Sequence, residues 1–142
     1  MASMTQRWVA RLLGNLGTGA AKKDLAAALA SCGRQCLPAS MLKRAQNAVR
    51  GARGRKDALA ALAKVWPHLE VKGERIAVVY PRCYCPIMRG YDGPPLPTYC
   101  ECSRGWIAAL FEEAFGAEVT VKAEQTILGG GDSCRFRVTF GK

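Results

Sequence analysis

The chain has 142 residues, of which 49% are hydrophobic and 23% charged, and its formal net charge is +10. This is one domain's length with one core, and the apolar content excludes a disordered chain. No stretch approaches the roughly 20 uncharged apolar residues that span a bilayer, and the amino terminus lacks even the ~7-residue apolar run of a signal peptide, so a soluble cytoplasmic protein with no membrane partner is expected.

The first half reads as helices. Segments near 4–14, 22–34, 40–50 and 55–66 are rich in Ala, Leu, Lys and Arg, with apolar residues at helical spacing. In the fourth, Leu59, Leu62, Ala63 and Trp66 form one buried stripe. Asp57 suits the positive end of that helix's dipole, and Pro67 stops it. The charge excess lies in the first 75 residues, with fourteen Lys and Arg against four Asp and Glu; residues 76–142 hold seven of each sign. Arg50, Arg53, Arg55 and Lys56 make the densest basic run. Nucleic acid is one partner such a run would take, but solvated helix faces account for the same composition more simply.

The second half changes period. Arg75–Tyr80 is a short apolar run bounded by Gly73 and Pro81, hence a strand. Val119, Val121 and Ala123 alternate with polar residues, as do Cys134, Phe136, Val138 and Phe140, which predicts two strands with one buried face each. Leu128-Gly-Gly-Gly-Asp-Ser133 supplies turn chemistry to join them as a hairpin, and Cys134 falls on the inward face. His68, the sole histidine, is expected to be a hydrogen-bonded structural residue. Glu112 and Glu113 belong to a solvated helix surface.

Between the first strand and the hairpin lie a Pro/Gly-rich loop with a Cys-x-Cys pair at each end, Cys83/Cys85 and Cys100/Cys102, and then a helix with the core stripe Ile107, Leu110, Phe111 and Ala114. Gly116 is placed to end that helix. Its start decides the chemistry. A capping box at Thr98-Tyr-Cys-Glu101 makes Cys100 and Cys102 diverge by about 200°, whereas a start at Ser103 leaves both thiols on one side of an extended segment. Cys83-Tyr-Cys85, ahead of Pro86, is expected to continue the strand.

Seven cysteines in a reducing compartment point to metal or redox chemistry before structural disulfides. Two close pairs match the economy of a four-thiolate zinc site, and an iron–sulfur cluster takes the same ligands. Cys134, and Cys32 with Cys36 one helical turn apart, are further candidates. Cys100 near a helix amino terminus, or Cys102, is the candidate nucleophile of an enzyme. If the cysteines merely pack as small hydrophobes, no cofactor follows.

Tyr99-Cys-Glu-Cys-Ser-Arg-Gly-Trp106, Phe111–Gly116, Val119–Val121 and Gly131-Asp-Ser-Cys-Arg-Phe136 together resemble the 4-vinyl-reductase-type domain. With Cys32-Gly-Arg-Gln-Cys36 and Tyr80-Pro-Arg-Cys-Tyr-Cys-Pro86, the pattern is similar to bacterial proteins related to the aminothiazoline-carboxylate hydrolase-like group. The resemblance implies helices on an antiparallel sheet around an apolar pocket, small hydrophobic or aromatic ligands, and a cysteine-bound zinc in some members. Cys100 and Cys134 match metal cysteines of those relatives, while Thr126 or Ile127 stands where a third is usual. No catalytic residue is carried over.

The expectation is a single α+β domain over 1–142, with a helical region at 1–66 and a cysteine-rich core at 67–142. It would bind a small apolar or aromatic molecule as a sensor or carrier, with Tyr84, Tyr99, Trp106 and Glu124 at the pocket. Cys83, Cys85, Cys100, Cys102 and Cys134 would hold zinc, with iron or an iron–sulfur centre as the other choice. A small cysteine- or metal-dependent hydrolase or lyase is the alternative, and a homodimer is compatible with either.

Overall fold

A computed structural model describes residues 3–16 and 21–141. The Ala- and Leu-rich half forms α1 (Met4–Leu16), α2 (Ala21–Gln35), α3 (Ala39–Val49) and α4 (Arg55–Val65), each within two residues of its predicted span. α1 opens with a reciprocal capping box: Gln6 N–H donates to Ser3 Oγ at 3.1 Å, and Ser3 N–H donates to Gln6 Oε1 at 3.0 Å. Asp57 sits in the first turn of α4 but turns back to accept from Arg53 N–H at 3.1 Å.

A strand absent from the periodic pattern, β1 (Leu69–Lys72), precedes β2 (Arg75–Tyr80), and Gly73 turns between them at φ +61°. Four residues are too few for alternation to register, so pairing with β2 defines this strand. β3 (Val119–Gln125) and β4 (Cys134–Phe140) form the expected hairpin. All neighbours in the order β1-β2-β4-β3 are antiparallel. Register aligns Val71, Ile76, Val138 and Val121 in one row, and Leu69, Val78, Phe136 and Ala123 in the next. Rows of this kind give the sheet its apolar face.

β2 ends at Tyr80, and Cys83-Tyr-Cys85 is irregular backbone, contrary to the expected continuation. The cause is pairing: Tyr80 stands opposite Cys134, the first residue of β4, so no partner strand extends further, and Pro81 has no N–H to offer. The loop then turns, with Arg89 N–H donating to Cys85 O at 2.9 Å.

The last helix, α5 (Glu101–Phe115), begins with Cys100 as its N-cap and no side-chain capping bond, so its start matches neither Ser103 nor a side-chain-capped Thr98 box. Gly116 ends it in the left-handed region at φ 64°. α5 packs against β3 and against α2 and α3, and it buries Ile107, Leu110 and Phe111 completely. The approach to α2 is backbone to backbone. A Cβ at Gly33 would lie 1.8 Å from Cys102 O, and one at Gly105 would lie 1.8 Å from Ala30 O. No described helix is long and apolar enough to cross a membrane.

Candidate functional site

The start of α5 sends its two cysteines different ways. Cys100, the N-cap, is buried, and its thiol hydrogen-bonds to Cys134. Cys102, two residues on, is electrostatically linked to Cys85, Cys36 and Cys32. This is the divergence a helical start requires, and Gly33 makes room for it by letting α2 touch the Cys102 backbone. The Cys83/Cys85 pair stays linked. Cys83 interacts with Cys85 first and with Cys134 next, and Cys85 Sγ lies 3.4 Å from the Tyr99 hydroxyl. All seven cysteines are free thiols.

Among the described residues, no group of three or more His, Cys, Asp or Glu side chains is arranged to hold a metal ion. The expected single centre of Cys83, Cys85, Cys100, Cys102 and Cys134 does not stand as one donor set among these residues, since Cys100 turns to Cys134 and Cys102 to Cys85, Cys36 and Cys32. Cys32 and Cys36 are exposed at the end of α2.

Electrostatics also distinguishes the thiols. Cys100 donates to the Cys134 sulfur, which holds Cys100 well above the usual thiol range, and burial adds to the rise. Burial pushes Cys102 up to about 11. Neither has the lowered pKa expected of a nucleophile. Cys134 moves the other way, lowered first by the Cys100 hydrogen bond and further by Ile127 N–H, which donates to its sulfur at 3.3 Å, while burial opposes both. Sequence spacing gave no sign of this, because the Ile127 donor belongs to the loop between β3 and β4.

A cavity of about 500 Å³ opens under the cysteine loop. Its lining comes from Pro81–Tyr84, from Met88–Tyr91 and, across the sheet end, from Ile127, Leu128 and Asp132. Met88 is fully buried although it belongs to an irregular loop. It acts as the loop's anchor, and the sequence did not single it out, because the adjacent Ile87 is equally apolar yet exposed. α1 secures the same loop: the buried Gln6 donates through Nε2 to Ile87 O at 3.0 Å and to Arg89 O at 3.3 Å. Ile127 links the cavity to the thiol pair, since its side of the wall also carries the N–H bonded to Cys134.

Of the four residues expected at the pocket, Tyr84 lines it. Tyr99 is outside the lining, buried against Cys85. Trp106 packs on Trp66 with ring centroids 6.0 Å apart, and is part of the helix packing. Glu124 lies at a bulge in β3 and pairs with Arg137 at 2.8 Å and Arg135 at 3.6 Å, so its carboxylate is engaged on the sheet. His68 holds Val79 O at 3.2 Å and contacts Tyr80 and Tyr84, as a structural histidine does. Arg50, Arg53, Arg55 and Lys56 are exposed around the junction of α3 and α4.

Residues 57–142 match a family model described as a family of unknown function (DUF6144). No curated protein matches the sequence. Among solved structures, the phenol-responsive sensory domain of the transcription activator PoxR, crystallised with phenol, is similar at 13% identity. That alignment covers 90% of this chain and 68% of that one, with a TM-score of 0.46.

Proposed function

From the premise that this chain belongs to the DUF6144 family, a family of unknown function, we propose that it is a binding module for a small neutral aromatic or apolar molecule, seated under the cysteine loop. The carrying observation is the cavity of about 500 Å³, within the roughly 300–1,000 Å³ of ordinary small-molecule sites. Its walls combine Met88, Ile127 and Leu128 with the rings of Tyr84 and Tyr91, while Arg82, Arg89 and Asp132 supply polar groups to orient a ligand. The loop that forms one wall has few regular backbone bonds and is tied down at Met88 and by Gln6, so a ligand would order it further. This reading gives the module a sensor's or carrier's role. It assigns no bond-making step, and it routes nothing through a metal.

Titration of the full chain with phenol, p-cresol and indole, followed at the Met88 methyl and Ile127 methyls by NMR, tests the reading. Saturable movement of these signals is expected, with weaker binding when Tyr84→Ala removes an exposed ring from the wall. Absence of saturable shifts for all three up to about 5 mM overturns it.

A further inference from the structure

The other end of the sheet carries a cavity of a different kind. It opens where α4 begins, beside the β1–β2 turn and the last residues of β4, and has a volume of about 690 Å³. β2 runs from this cavity at Arg75 and Ile76 to the residues just before the cysteine loop. Its six residues, at roughly 3.3 Å each, keep the two cavities apart.

Four cations line this second cavity, Arg55, Lys56, Arg75 and Arg137, against one carboxylate, Glu74. Arg137 is also paired outside the lining with Glu124, so Arg55, Lys56 and Arg75 carry most of the positive field. The floor is apolar, with Leu59, Ile76 and Phe140. The Arg55 guanidinium carbon lies 4.1 Å from the centroid of the Phe140 ring, which sets a flat cationic surface over the floor. The start of α4 adds direction, and Arg137 does not. Arg137 alternates with Val138, so its side chain belongs to the opposite sheet face, where it pairs with Glu124 and its Nε is buried. The first turn of α4 points its N–H groups outward with no side-chain cap, because Gly54 has none to give and Asp57 is turned to Arg53.

We propose that this groove binds a small organic anion, a carboxylate or phosphate carried on a flat apolar body. The anionic group meets Arg75 and Lys56, and the flat body lies against Arg55 and the apolar floor. A bare ion would leave the floor unused, and a neutral ring would leave the cations unanswered. The site does not depend on the pocket under the cysteine loop, because the two share no lining residue.

The test uses the full-length ¹⁵N-labelled chain with three matched probes: phenyl phosphate, phenol and inorganic phosphate. Phenyl phosphate is expected to shift the backbone amides of Arg55, Ile76, Thr139 and Phe140 saturably. Phenol should leave these four unmoved, and inorganic phosphate should bind at least about tenfold more weakly. Arg75→Glu, at an exposed position, should weaken phenyl phosphate by about tenfold or more with the rest of the amide spectrum retained, and Arg75→Ala should weaken it less. The proposal is overturned by equal binding of inorganic and phenyl phosphate, by unchanged affinity in Arg75→Glu, or by no saturable shift at these amides. It is also overturned if a DNA duplex moves the same amides together with those of Arg50 and Arg53 more tightly than phenyl phosphate does, since the groove would then be part of a nucleic-acid surface.

Discussion

At the Cys134 sulfur, donation from the Cys100 thiol and from Ile127 N–H favours the thiolate, and burial disfavours it. The first two prevail. A thiol whose folded pKa lies below its unfolded value contributes stability that is complete above the ordinary thiol range and is lost as pH falls through the folded value. Cys100→Ala removes the larger donor, so Cys134 should ionise at higher pH. The check is the thiolate absorbance difference between Cys134→Ser and its parent across a pH series, measured with and without Cys100→Ala. An unshifted midpoint would show that the thiol pair is not what sets the charge. The same scale explains Cys102, which the helix turns away from Cys134 and burial keeps protonated to about 11.

Among the elements, the junction of α2 and α5 is the most demanding. Gly33 and Gly105 admit no Cβ without the facing carbonyl moving, so Gly33→Ala and Gly105→Ala should each destabilise the protein by about 1–3 kcal/mol, read from urea midpoints. Gly14 in α1 is the control. Nothing lies within 4 Å of the Cβ it would gain, and Gly14→Ala should stabilise by about 0.5–1 kcal/mol through helix propensity alone. α1 also bears on the cavity. Gln6→Ala removes half of a capping box and the clamp on two loop carbonyls, so hydrogen exchange at residues 87–90 should quicken more than exchange in β2. Equal quickening everywhere would mean global destabilisation only.

For the whole molecule, Phe111 stands where α5, the sheet and α4's end meet, touching Trp66, Phe115 and Phe140 with no exposure of its own. Phe111→Ala should cost about 3–5 kcal/mol and lower the melting temperature by roughly 10 °C or more in calorimetry. A loss under about 1 kcal/mol would show that the helical half and the sheet do not share this core. The same packing explains why much of the architecture was legible in advance. Val119–Ala123 and Cys134–Phe140 alternate because one sheet face meets α5, and Leu59, Leu62 and Trp66 recur at helical spacing because α4 buries one stripe. β1 was not legible, since four residues beside Gly73 carry too short a pattern.

By itself the sequence determined the periodic elements, the hairpin around Gly129–Gly131, the left-handed stop at Gly116 and the inward side of Cys134, because each follows from local backbone preference and from which side chains avoid water. Only the tertiary structure decided which cysteines meet, where the loop of residues 83–100 closes a cavity, and that Arg55 and Arg75 converge on one groove. Those positions lie tens of residues apart in irregular or separately folded segments. No periodicity links them, so their meeting is set by how α2, α5 and the sheet pack.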